Sequence, residues 1–248
     1  MLPKKMVFLG SKPIGYQCFS HLIAMQTLLN VEIIAMLTNA RKEFGNSHDL
    51  AALAEGHNIP LLDEVNDIPE CDIIYSVQYH KILGASQIAR AKQIAINLHM
   101  APLPEYRGSN QFSYAIIDNK KEFGTTIHVI DTRIDHGDIL FQKRFPIPEK
   151  CNVNTLYDLT FNASVELFRD TLSNVINNEF TAVPQASLEE KYGTSLHYKK
   201  DINKLKEIDL DWDKEKIERH IRATSMPGFE PPFCIVDGKK LHFTSDQA

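Results

Sequence analysis

The sequence predicts an α/β fold: a mostly parallel sheet with helices on both faces, followed by a small region of helix and β-hairpin. Three observations predict it. Short apolar runs alternate with segments of helical periodicity through the first half of the chain. Polar or glycine-containing turns separate them, as expected where buried strands feed helices. Near the C-terminus, Asp237-Gly238 divides two strand-like runs, a type I′ hairpin signal.

Met6 to Leu9 is the first strand, ended by Gly10. Pro13 stands where a helix start tolerates it, and Phe19, Leu22, Ile23 and Met25 then recur at roughly helical spacing. Val31 to Leu37 is a second strand, followed by a polar loop through Asn39 and Gly45, with Ser47 expected to cap a helix through Ala54. Asp72 to Val77 and Ile94 to Leu98 are further buried strands, and ASQIARA between them reads as helical, with Ser86 near its start. After Gly124, TTIHVI and DILFQKRF are strand-like, and a long helical pattern covers Asn154 to Val175. A domain boundary is expected near residue 180, giving units 1–180 and 181–248. The second unit holds a short helix over Lys214 to Ile221 and the hairpin of Phe233–Val236 and Lys239–Phe243.

The chain has 248 residues, 43% of them hydrophobic, and a net charge of -5. That charge argues against a broad nucleic-acid surface, which needs a basic face. No apolar run is long enough to cross a bilayer, and Met1 to Leu9 lacks a signal peptide's apolar core, so a cytoplasmic location is expected. Cys18, Cys71, Cys151 and Cys234 form no CxxC pair and read as buried thiols, with no metal site expected.

Chemistry-bearing residues concentrate in INLHMAPLPEYRGSNQF. Asn97 and His99 lie two apart on an extended segment, so their side chains share one face at a strand end. An amide N–H stabilises a developing oxyanion, and a neutral imidazole accepts a proton near neutral pH. Downstream, Asp131, Asp135 and Asp138 crowd one loop, where carboxylates either form turns or orient an imidazole.

The ordered set Asn97-x-His99, PLPEYRG, GTTIHVI and IDHGDI closely resembles the formyltransferases that use 10-formyltetrahydrofolate. The resemblance spans roughly residues 5 to 180 in element order. It implies a Rossmann-like sheet and a catalytic triad of Asn97, His99 and Asp135, with Gly137 completing the last motif. It also implies a slot for the donor's flat ring between His80-Lys81-Ile82-Leu83 and the loop of Ile130, Asp131 and Asp135.

The string NLHMAPLPEYRGSNQFSYAI, with SVQYHKIL upstream, is most similar to the sugar N-formyltransferase branch. The implied acceptor is the amine of a nucleotide-linked deoxyamino sugar, with a homodimer as the expected assembly. Candidate acceptor contacts are Ser11, Lys12, Gln78, Tyr79, Lys81, Tyr106, Arg107, Asn110, Gln111 and Phe229. Transfer to methionyl-tRNA is the nearest alternative and calls for a basic C-terminal module. Glu179 to Ala248 instead carries 11 Lys or Arg against 13 Asp or Glu. Glycinamide ribonucleotide as acceptor, a hydrolase that releases formate from formyltetrahydrofolate with water as nucleophile, and a nucleotide-binding module without catalysis are the remaining alternatives. The last calls for a glycine-rich phosphate loop, which Gly10-Ser11-Lys12 does not supply.

Overall fold

Strand alternation organises the molecule. The computed structural model describes residues 2–38 and 49–243. Its main sheet has six strands: β1 (Lys4–Gly10), β2 (Val31–Thr38), β3 (Cys71–Val77), β4 (Ala91–His99), β6 (Glu122–Val129) and β7 (Ile139–Pro146). Their spatial order is β2-β1-β3-β4-β6-β7, parallel through β4 and antiparallel from β4 to β7. The order reverses beside β1, so the carboxyl ends of β1 and β3 flank a crevice of the kind where open α/β sheets bind ligands.

Phe8, Tyr75, Ile96 and Leu98 point to one face of the sheet, and Val7, Leu9, Ile74 and Ala95 to the other. The first face receives α1 (Lys12–Met25) and α5 (Val153–Asn177), through residues such as Phe19, Leu22, Phe168 and Leu172. Phe8 stacks on Phe19 with ring centroids 4.9 Å apart. Each such buried side chain contributes about 1.5–3 kcal/mol. Helix α2 (Leu50–Gly56) joins this layer through Leu50 and Ala54. The second face is covered more thinly, by a 3-10 turn at Val65–Asp67 and the short helix α3 (Ala85–Ile88).

Two local expectations change. The α2 cap is Asp49, whose carboxylate accepts from the N–H groups of Ala51 and Ala52; Ser47 lies outside the described residues. The helix read into ASQIARA stops after one turn, because β4 starts at Ala91 and the Arg90 carbonyl already accepts from Cys71 N–H.

The remaining elements are β5 (Arg107–Gly108), α4 (Gln111–Ile117), α6 (Glu189–Tyr192), β8 (Leu196–His197), α7 (Ile202–Lys206), α8 (Lys214–Thr224), β9 (Phe233–Val236) and β10 (Lys239–His242). Residues beyond 180 pack onto the sheet region. Strand β8 pairs with β5, and Ala223 and Met226 share a cluster with Ala101, Tyr106, Ala115 and Phe123. Asp237 and Gly238 both have positive φ, at 51° and 73°, as a type I′ turn requires. Among the described residues, no helix is long and apolar enough to cross a membrane. All four cysteines are buried free thiols.

Candidate active site

Asn97 and His99 stand at the carboxyl end of β4, on the face they share with Ala95. Strand β6 lies antiparallel beside them, so Asn97 faces His128 and His99 faces Thr126. The following loop is pinned from below. Thr126 accepts from Leu103 N–H and donates to the Ala101 carbonyl, while the Gln142 amide donates to the Leu103 carbonyl at 2.9 Å. Pinning places the Tyr106 carbonyl 2.7 Å from His99 Nε2. A carbonyl only accepts, so Nε2 carries the proton and the neutral ring keeps its lone pair on Nδ1.

Asp135 enters from the loop between β6 and β7. Its Oδ2 is 3.5 Å from His99 Nδ1, and its Oδ1 is 3.4 Å from His128 Nε2. Asn97 Nδ2 lies 3.2 Å from His128 Nε2 and 3.5 Å from Asp135 Oδ1. Gly108 N–H donates to Asp135 Oδ2 at 3.0 Å. Gly108 has φ 85°, and a side chain there would collide with the His197 carbonyl, so glycine is required for this approach. Asp135 itself sits at φ 45°, a conformation uncommon outside glycine.

Burial works to raise the Asp135 carboxyl, but the pull of His99, the hydrogen bond and charge of His128 and the Gly108 N–H outweigh it. The carboxyl is held well below the usual carboxylate range. Sequence reasoning missed His128. Its ring is buried and its Nδ1 lies 2.8 Å from the Val129 carbonyl, which leaves Nε2 to face Asn97 and Asp135. Its signal was present, since TTIHVI was read as a strand; what was missing was the register that sets it opposite Asn97.

The candidate acceptor contacts fall into separate groups. Ser11, Lys12 and Gln78 meet at the crevice between β1 and β3: the Ser11 hydroxyl donates to the Gln78 carbonyl, and Lys12 Nζ lies 2.9 Å from Gln78 Oε1. Arg107 and Asn110 reach the C-terminal segment, Arg107 to the Ser195 carbonyl and Asn110 Nδ2 to the Tyr198 carbonyl at 2.8 Å. Tyr106 offers the site its carbonyl; its ring is buried and its hydroxyl donates to Asp118. Gln111 is buried at the start of α4, and Phe229 is exposed on the turn after α8.

Of the donor-slot candidates, Leu83 is buried and packs in one apolar cluster with Tyr79 and Ile130. The segments around residues 80 and 130 therefore lie side by side, beyond the ends of β3 and β4. Ile82 is 63% exposed there, a large apolar side chain left in solvent. His80 contacts the Tyr79 ring edge-on, Lys81 pairs with Glu64, and Asp131 pairs with His136 at 2.8 Å.

Comparison with known proteins gives a consistent picture. Residues 57–172 match the family described as formyl transferase. A methionyl-tRNA formyltransferase of Lactiplantibacillus plantarum is 26% identical over 253 aligned residues, covering 96% of this chain and 76% of that protein. A 4-N formyltransferase from Francisella tularensis superposes with TM-score 0.80 at 24% identity, covering 96% of this chain and 95% of that one. WlaRD, a sugar 3N-formyl transferase solved with dTDP and 5-N-formyl-THF, gives TM-score 0.79 at 23% identity, covering 96% and 84%. The family match runs from before β3 into α5, and Asn97, His99, His128 and Asp135 all lie within it.

Proposed function

We propose that this chain transfers a formyl group from 10-formyltetrahydrofolate to the amine of a nucleotide-linked deoxyamino sugar. The preferred acceptor is dTDP-4-amino-4,6-dideoxyglucose, and the setting is cytoplasmic synthesis of a surface polysaccharide such as O-antigen. The observation that carries the chemistry is the meeting of Asn97, His99 and the Asp135 carboxylate at one strand end.

Formyl transfer needs an unprotonated amine to attack the formyl carbon. A nitrogen–carbon bond forms, the bond from that carbon to the donor nitrogen breaks, and a proton passes from the amine to the leaving nitrogen. His99 takes the proton on Nδ1, since Nε2 is committed to the Tyr106 carbonyl. Asp135 stabilises the imidazolium so formed. Asn97 Nδ2 lies 3.2 Å from His128 Nε2 and donates a long hydrogen bond of 3.5 Å to Asp135 Oδ1; exchanging that weak contact for the oxyanion gives the second amide hydrogen its role in the reaction.

The apolar cluster of Tyr79, Leu83 and Ile130, with exposed Ile82 beside it, suits a flat ring and supports the donor slot. The crevice at Ser11, Lys12 and Gln78 supports an acceptor site, with Lys12 supplying positive charge for a phosphate. Proteins of similar structure over nearly the whole chain are named a sugar 3N-formyl transferase and a 4-N formyltransferase, and the first of these names supports the sugar over other amines. Methionyl-tRNA is the second reading, favoured by the name of the Lactiplantibacillus relative. A homodimer belongs to the same proposal. The β9–β10 hairpin, joined to the rest of the chain at Glu207 and Ile208, leaves Ile235 and Leu241 about half exposed, which a second copy would cover.

Incubation with 10-formyltetrahydrofolate and a panel of dTDP-linked 3- and 4-amino sugars, beside methionyl-tRNA, tests the reading. A mass gain of one formyl group on a sugar nucleotide is expected. Product on the tRNA alone would replace this acceptor with the second reading.

A further inference from the structure

We propose that Gln185 is a positioning residue, which holds the Asp135 loop in the conformation that delivers its carboxylate between His99 and His128. Gln185 opens a 3-10 turn at Gln185–Ser187, beyond the stretch matched to the family. It is only 4% exposed, and its Nε2 donates to the carbonyls of Asp135 at 2.9 Å and of Gly137 at 2.8 Å. Both amide hydrogens are thereby used on the backbone of one loop.

That loop needs an external hold. Asp135 sits at φ 45°, where an L-residue stays only if its surroundings over-determine it. Two further contacts act with Gln185. Ile139 and Val183 exchange backbone hydrogen bonds of 2.9 and 2.8 Å, aligning the C-terminal segment along the loop. Gly137 lies so close to the Val129 carbonyl that any side chain there would collide with it. Holding both carbonyls restrains the Asp135–His136 and Gly137–Asp138 peptide units, and with them the backbone that presents the Asp135 side chain. The Gln185 Oε1 is buried with no hydrogen-bond partner among the described residues. Stability alone does not favour a buried amide satisfied on one side. Orientation of the Asp135 loop accounts for its presence.

The inference rests on the reading of Asp135 as the partner of His99, and the test separates the two. Gln185→Met keeps length and removes both donors, and Gln185→Glu keeps shape and replaces donors by acceptors. In folded variants, kcat is expected to fall about 10–100-fold, as for other small misplacements of a catalytic group, with KM for both substrates within about twofold. Added to Asp135→Asn, Gln185→Met should lower kcat little further, since both changes act through one carboxylate. In the protein without substrates, carbon NMR of the Asp135 carboxyl should show its titration moving up toward the ordinary range in Gln185→Met.

Wild-type kcat and an unmoved Asp135 titration in a folded variant would overturn the inference, as would loss of folding in both variants. Wild-type kcat in Asp135→Asn would instead sink the reading of Asp135. The NMR titration still judges Gln185 in that case.

Discussion

Asn97 and His128 face each other across the β4–β6 pair, with the amide nitrogen 3.2 Å from the imidazole Nε2. His128 Nδ1–H donates to the Val129 carbonyl, so in the neutral ring Nε2 accepts from the Asn97 amide, and in the protonated ring it donates to Asp135 Oδ1 at 3.4 Å. The contact fixes which way the Asn97 amide points, and so where its second hydrogen goes. Replacing His128 with Leu leaves that amide and Asp135 Oδ1 each short of a partner. A lost hydrogen bond to a charged group is worth about 1.5–3 kcal/mol, so kcat is expected to fall tenfold or more. Steady-state kinetics on the folded variant check this, and unchanged kcat would remove His128 from the site.

His99→Gln keeps a polar side chain but no group that takes a proton at neutral pH. The expected loss in kcat is ~10²–10⁴, with circular dichroism unchanged. A variant turning over within tenfold of the parent would show that the proton goes elsewhere.

Asn97→Ala removes the proposed oxyanion donor. The expected cost is ~10²–10³ in kcat, with donor affinity nearly unchanged by equilibrium titration. The opposite pattern, weakened binding at full rate, would make Asn97 a binding residue only.

Asp135 is depressed in the folded protein, so it contributes stability above its unfolded pKa, which is about 3.9. That contribution disappears as pH falls from there toward the lower folded value. Asp135→Asn lacks it, so the gap in Tm between wild type and variant should narrow between pH 5 and pH 3. In a chain of this size each kcal/mol moves Tm by about 2–4 °C. Parallel melting curves across that range contradict the assignment.

Arg144 grips Glu105 through its two terminal guanidinium nitrogens, at 2.5 and 3.1 Å, and lies 4.3 Å from the Tyr192 ring centre. The pair ties β7 to the loop whose Tyr106 carbonyl orients His99. Both side chains are largely buried, so Arg144→Leu leaves a carboxylate stranded and is expected to cost about 2–4 kcal/mol. Urea unfolding gives the number, and a loss under about 0.5 kcal/mol would place the pair among ordinary surface contacts.

Much of this architecture was legible from local pattern. Short apolar runs marked β1 to β4, and the spacing of Phe19, Leu22 and Ile23 marked the buried side of α1. Asp237-Gly238 marked the hairpin turn. The two-residue interval from Asn97 to His99 put both on one face of a strand, because side-chain direction there has a period of two. The exceptions were local competitions. Asp49 caps α2 ahead of the more distant Ser47, and sheet pairing at Ala91 cuts α3 short.

From its amino acids alone, then, the chain declares which segments are strands and helices and which face of β4 carries an amide and an imidazole. Those properties arise between neighbours a few bonds apart. Only the folded molecule decides that His128 stands opposite Asn97, that the Tyr106 carbonyl occupies His99 Nε2, and that Gln185 holds a loop 50 residues upstream. Each is a contact between distant positions. Its existence depends on strand register and on the closure of whole loops, quantities that no local spacing encodes.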